Sequence, residues 1–424
     1  MPFRYPIIFL LLLINVACSR EQTIKNVTYA AVKTESCKYN PANVYHYSLP
    51  EHYNGSLPVV IVLDPHGNGK LAVNKILPAL KGMTCMIIGS DLIRNNYGNY
   101  IQAINEIIDD VSSKPGVSKD RIYIAGFSGG ARMAFEFARH SAVKGVLMCS
   151  AGPNIQSLAE LPCPIYMIGG TTDFNFPETW MNPLNNQDNS NYVTDYFRGT
   201  HEWPPVDKLR QGLLYLLAQS GTQEKGLLTR ESNILTASAD SLWESKDYLM
   251  ALKAAEKALL FNPGNKKAQD LKKKITGCKP CTDPINAIEK DLSLEYRITG
   301  EYAKMLHQKD STWWFREIDY ITDEIAKNSG NSKDHLQRIK GFLGIMFYSA
   351  IGDLINREPD NKQLVHLLAA YQKAEPENPD VYYYRALYAY TQNRKERCRE
   401  FLQKARNLGF IDSVKLKKDF PPGF

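Results

Sequence analysis

Three things are scarce in this chain, and each scarcity removes a class of function. Charge of one sign is scarce: 51 Lys and Arg stand against 45 Asp and Glu in 424 residues, a formal net of +6. The most basic run, KKAQDLKKK at Lys266 to Lys274, sits at helical spacing beside acidic neighbours, so it reads as a solvated helix face and no nucleic-acid partner is expected. Paired metal-binding motifs are scarce as well. Cys278-Lys-Pro-Cys281 has no second C-x-x-C to complete a zinc set and no βαβ surroundings for redox work, so it is open as a local disulfide, with no metal or cofactor expected. The opening apolar run, Ile7 to Ile14, is too short to span a bilayer.

What is present at the start is a processing signal. Arg4 precedes the apolar run, and small residues lead to Cys18, the pattern of a secretory signal with a cleavage site. Val16-Ala17-Cys18 resembles the lipobox of bacterial lipoproteins, with Asn15 where leucine is usual. The resemblance implies removal of residues 1–17, lipidation of Cys18, a tether over 18–35, and an exported protein anchored to a bacterial membrane in the cell envelope. Each buried acyl methylene contributes roughly 0.8 kcal/mol, so several chains on one residue hold stably. Export also permits disulfides. The seven other cysteines are an odd number that defines no framework, and Cys85 and Cys149 lie in apolar runs expected to be core.

Along the chain, residues 36–218 alternate short β-rich runs with helical stretches, the signature of an α/β sheet. LPVVIVLD at Leu57 to Asp64 is a continuous apolar run ending in DPHGNG, as expected of a strand buried on both faces and stopped by a turn. TCMIIGS, RIYIAGF, KGVLMCSAG and CPIYMIGG read as further central strands, VYHYSL as an edge strand, and Leu209 to Leu217 as a closing helix. Over 219–424 the period is helical. Ala251, Ala255 and Ala258 share a face before Pro263, which resembles the second helix of a tetratricopeptide repeat, and Asp380 to Gly409 is a second match. Pro263 and Pro379 lie more than three but fewer than four repeats of about 34 residues apart, so the middle is irregular or built differently. This half is expected either to bind a peptide partner on its concave face or to pack on the first half. The aromatics Tyr382, Tyr383, Tyr384, Tyr388, Tyr390, Trp313 and Trp314 are expected mainly as helix core.

The chemistry concentrates in RIYIAGFSGGARMAF, Arg121 to Phe135. A strand running through G-x-S-x-G into a helix is a nucleophile elbow, with Ser128 at a tight turn and glycines keeping side chains clear. The plain alternative is that Ser128 caps the helix. Serine needs a base oriented by a carboxylate, and in elbow enzymes the chain order is serine, acid, histidine. Asp173 follows the strand PIYMIGG, and His201 stands in a loop before the last helix. His140 lies within the elbow helix, pointing away, and Asp188 and Asp195 are substitute acids. The expected oxyanion donors are the N–H of Gly129 and one from the DPHGNG loop near Gly67 or Asn68, with His66 structural or touching substrate.

These motifs resemble the α/β-hydrolase superfamily, and within it the secreted esterases of the polyhydroxybutyrate-depolymerase and feruloyl-esterase type. The matching positions are His66-Gly67, Gly126 to Gly130, Gly170 to Asp173, and His201 with Trp203-Pro204. The resemblance implies a mostly parallel sheet flanked by helices and an exported serine esterase working through an acyl-enzyme. Asp64-Pro65 before the His-Gly turn departs from the pattern. The stretch between elbow and acid is too short for a large lid, which predicts an open cleft for bulky esters such as acylated saccharides. Two alternatives stand beside it: a peptidase or thioesterase on the same triad, and an inert lipoprotein scaffold.

Overall fold

Leu57–Leu63 is apolar throughout and buried at every position, because it runs through the middle of an eight-stranded sheet covered on both faces. The computed structural model describes residues 27–153, 161–184, 192–219, 221, 225–410 and 412–421. The signal segment, Cys18 and Asp188 lie outside the described residues. The strands are β1 (Lys33–Cys37), β2 (Asn40–Ser48), β3 (Leu57–Leu63), β4 (Met86–Ser90), β5 (Val117–Phe127), β6 (Gly145–Cys149), β7 (Ile165–Gly170) and β8 (Tyr192–Phe197), in the order β1-β2-β4-β3-β5-β6-β7-β8. β1 and β2 pair antiparallel, β2 meets β4 antiparallel, and β3 to β8 are parallel. The connecting helices are α1 (Gly69–Ile76), α2 (Tyr100–Ser112), α3 (Gly129–His140), α4 (Phe176–Leu184) and α5 (Val206–Gln219). One apolar core joins α2 and α3 to one face of the sheet, and a second joins α1 and α5 to the other. This is the α/β-hydrolase architecture.

Two strands have no clear sequence signature. β1 is a polar edge strand, and the stretch expected as a tether is already in the fold from Tyr29, which bridges Pro50. β8 carries Asp195, fully buried, where a period-based reading expects an apolar residue.

The second half is helical: α6 (Lys225–Glu244), α7 (Tyr248–Phe261), α8 (Lys266–Thr276), α9 (Lys279–Met305), α10 (Ser311–Lys327), α11 (Gly330–Arg357), α12 (Gln363–Ala374), α13 (Pro379–Thr391), α14 (Lys395–Asn407) and α15 (Ser413–Asp419). Ala251 and Ala255 are fully buried with Ala239 of α6, so small side chains let α6 and α7 approach closely. The irregular middle comes from α9 and α11, of 27 and 28 residues, too long for the short hairpins seen at either end. Tyr382, Tyr383, Tyr384 and Trp314 are buried, with Tyr388, Tyr390 and Trp313 packed against that core. Cys278 and Cys281 form a disulfide, and Cys85 and Cys149 are buried thiols.

The two halves share their cores. Leu227, Leu235, Ala258 and Phe261 join Leu213 and Leu217 of α5, and Leu249 and Leu292 pack with Phe176 and Tyr196. A polar link crosses the same boundary: Lys257 Nζ of α7 lies 2.6 Å from Asp195 Oδ2 and donates to Gln211 Oε1 at 2.7 Å, while Lys208 Nζ is 3.2 Å from Asp195 Oδ1. Burial pushes Lys257 down to about 7, and Lys208 adds to this against the pull of Asp195. The unfolded lysine titrates near 10.4. Between about pH 7 and 10 the unfolded chain therefore holds a proton that the folded chain lacks, and this group makes stability rise with pH. Lys257→Met should flatten that rise, as measured by urea unfolding at pH 7, 8 and 9.

Candidate active site

Ser128 stands between β5 and α3 at φ 52° and ψ −120°, a backbone conformation costly for any residue with a Cβ. The turn is anchored by the Ser128 N–H, which donates to the Cys149 carbonyl at 2.8 Å. Glycine is required beside it: a Cβ on Gly126 would stand 2.3 Å from the Gly130 carbonyl oxygen, and one on Gly130 2.2 Å from that of Leu63. The Ser128 side chain makes no capping bond to α3. Its hydroxyl lies 2.9 Å from His201 Nε2 instead.

Asp173 and His201 meet because their loops are stitched together. Thr171 N donates to the Phe197 carbonyl at 2.9 Å, and Thr172 N and Oγ1 both donate to the Gly199 carbonyl, at 3.0 and 2.7 Å. His201 Nδ1 lies 2.9 Å from Asp173 Oδ1, which also accepts the Asn175 N–H at 2.8 Å. The imidazole sits between Phe127 and Phe174, with ring centroids 5.0 and 4.3 Å away. Asp173 is fully buried, so its hydrogen bond to the ring is little weakened by water. The structure thus brings Ser128, His201 and Asp173 into one relay across 73 and 28 residues of sequence. Asp195 is elsewhere, committed to Lys257 and Lys208.

The expectation of an open cleft is corrected. Ser128 opens into a cavity of about 340 Å³ whose far wall is Tyr296 and Thr299 of α9 and Phe342 and Ile345 of α11. The helical half is the roof that the short stretch between elbow and acid cannot supply. Phe174 and Pro177 complete an apolar lining, and Arg132 faces it while bound to Glu178 at 2.8 Å.

The roof also grips the loops that carry Asp173 and His201. Arg338 of α11 donates from Nη1 to the Thr171 carbonyl at 2.7 Å, two residues before Asp173. Its Nε is 3.0 Å from Glu295 Oε2, which His335 Nδ1 also meets at 3.0 Å, and its guanidinium lies 4.9 Å from the Phe176 ring centre. On the histidine side, Arg198 bonds Asp247 at 2.7 Å and Asp334 at 3.0 Å. None of these partners has a local sequence signature, since Arg338 and Thr171 are 167 residues apart.

The DPHGNG loop has another job than the one expected. The His66 N–H donates to Asp64 Oδ1 at 2.9 Å, Gly67 N to the Asp64 carbonyl at 3.1 Å, and Asn68 N to Asp64 Oδ1 at 3.4 Å. Asn68 Oδ1 caps α1 by accepting the Leu71 N–H at 2.9 Å. His66, Gly67 and Asn68 line a separate cavity of about 380 Å³ closed by Asp380 and Lys415. They are therefore not placed as oxyanion donors or substrate contacts beside Ser128. The Gly129 N–H, in contrast, lines the Ser128 cavity and has no acceptor among the described residues.

The family model of the dienelactone hydrolase family matches residues 88–197, a span that includes Ser128 and Asp173 and stops short of His201. No curated protein matches the chain. Among solved structures, the chain is similar to a putative dienelactone hydrolase from Klebsiella pneumoniae subsp. pneumoniae at 15% identity and a TM-score of 0.35, covering 45% of this chain and 98% of that one. It is similar to a thermostable esterase from Pseudomonas putida at 14% identity and 0.35, covering 47% and 82%. A Pyrobaculum calidifontis esterase gives 12% and 0.37, covering 47% and 89%.

Proposed function

We propose that this chain is a serine hydrolase of carboxylic esters, with Ser128 as nucleophile, His201 as base and Asp173 as the carboxylate that orients it. The observation that carries the proposal is the pair of 2.9 Å contacts, Ser128 Oγ to His201 Nε2 and His201 Nδ1 to Asp173 Oδ1. Ser128 Oγ attacks the ester carbonyl carbon as its proton passes to Nε2. The tetrahedral oxyanion then collapses, the C–O bond to the alcohol breaks, and the alcohol leaves with that proton. Water repeats the sequence on the acyl-enzyme, freeing the acid and returning the proton to Ser128.

The roofed cavity favours a compact ester over a polymer, since about 340 Å³ lies near the lower end of the range for small-molecule sites. A fluorophosphonate probe followed by peptide mapping tests the nucleophile, and a panel of short-chain aryl esters, thioesters and peptides tests the leaving group. Labelling at Ser128 with preference for the ester is expected; no labelling there, with the parent protein folded, removes the proposal.

We also propose export and anchoring through Cys18. The supports are the apolar run ahead of Val16-Ala17-Cys18 and the Cys278–Cys281 disulfide, a bond that persists in oxidising compartments. Incorporation of a fatty-acid label that survives Cys18→Ala would sink this.

A further inference from the structure

We infer that the side-chain amide of Asn95 is the second oxyanion donor, working with the Gly129 N–H. This rests on the serine-hydrolase proposal and adds a catalytic residue to it. Two donors are the usual need of a tetrahedral intermediate, and the loop after β3, which supplies one in elbow enzymes, has none to give. Pro65 has no N–H. The amides of His66, Gly67 and Asn68 all donate to Asp64, and that of Gly69 donates to Asp91 Oδ1 at 2.9 Å. Arg132, the cation that lines the Ser128 cavity, is committed to both oxygens of Glu178, at 2.8 and 2.9 Å from Nη2.

Asn95 is an exposed residue whose amide lies against the elbow. It lines the Ser128 cavity beside Gly129, and its carboxamide lies against the Gly129 backbone so closely that a Cβ there would be 2.0 Å from Oδ1 and 2.8 Å from Nδ2. A side chain at residue 129 would displace it, which gives the second glycine of the elbow a reason beyond the turn itself. The Asn95 amide group has no hydrogen-bond partner among the described residues, so both N–H bonds are available. The backbone is held in place: Asn95 N donates to the Pro65 carbonyl at 2.9 Å, and the next residue, Asn96, turns the chain at φ 64°. A half-turn of the carboxamide exchanges Oδ1 and Nδ2, and negative charge growing on the substrate oxygen selects the orientation that presents Nδ2.

The test uses the full chain with Asn95→Ala and with Asn95→Asp, which keeps the shape and removes the donor. On a short-chain aryl ester both should lower kcat about 10²-fold or more, with KM within about threefold and an unchanged unfolding midpoint. Both should also weaken an aryl boronic acid, which becomes a tetrahedral anion on serine, by a similar factor. If kcat stays within about threefold of the parent, or if its loss tracks a fall in the unfolding midpoint, the assignment is wrong. If the parent neither turns over ester nor takes the fluorophosphonate at Ser128, the hydrolase proposal itself fails and the assignment falls with it.

Discussion

Ser128→Gly and Ser128→Ala should both abolish ester turnover, yet the glycine variant should be the more stable of the two by about 1 kcal/mol. Both lose the hydroxyl and its 2.9 Å contact with His201, so that loss cancels in the comparison. What differs is the Cβ, which the alanine must carry at φ 52° and ψ −120°. A strained position costs about 1–3 kcal/mol, offset in part by the extra freedom of an unfolded glycine. The kcat loss should be roughly four to six orders of magnitude, and His201→Ala should match it, because members of a relay fail as a unit. Urea unfolding of the two serine variants decides the first claim. Equal stability would mean that the elbow is not strained, and turnover within about 10²-fold of the parent in either would mean that another group attacks the ester.

Arg338→Met should cost about 3–5 kcal/mol and most of the activity, although Arg338 lies in the helical half. The substitution leaves Glu295 buried with only His335 beside it and leaves the Thr171 carbonyl without its 2.7 Å donor. Uncompensated buried charge dominates the stability term. Loosening of the 171–173 loop dominates the activity term, because misplacing Asp173 misorients the imidazole. The two terms separate in a double variant: Arg338→Met with Glu295→Met removes the orphaned charge and should recover much of the stability, while turnover stays low. Full activity in the single variant would show that the acid loop holds itself in place without α11.

The pattern of glycines, the alternation of apolar runs with helical periods, and the order serine, acid, histidine are all local features. They point to the parallel sheet, the elbow at Ser128 and His201, with Asp173 ahead of Asp188 and Asp195 as the acid. The same local logic misses β1, whose polar residues face water, and β8, whose buried Asp195 is held by Lys208 and by Lys257, the latter from the other half of the chain.

What the sequence alone determined is therefore the elbow and the frame that carries it, since a turn that needs glycine and a strand that needs apolar residues leave their mark residue by residue. Only the tertiary structure decided that the helical half walls the cleft, that Arg338 braces the acid loop, and that the amides after β3 are spent on Asp64. The reason is physical: a buried ion pair or an occupied N–H is a property of two partners. Where those partners lie a hundred or more residues apart, each looks in sequence like any other polar residue on a helix or a turn.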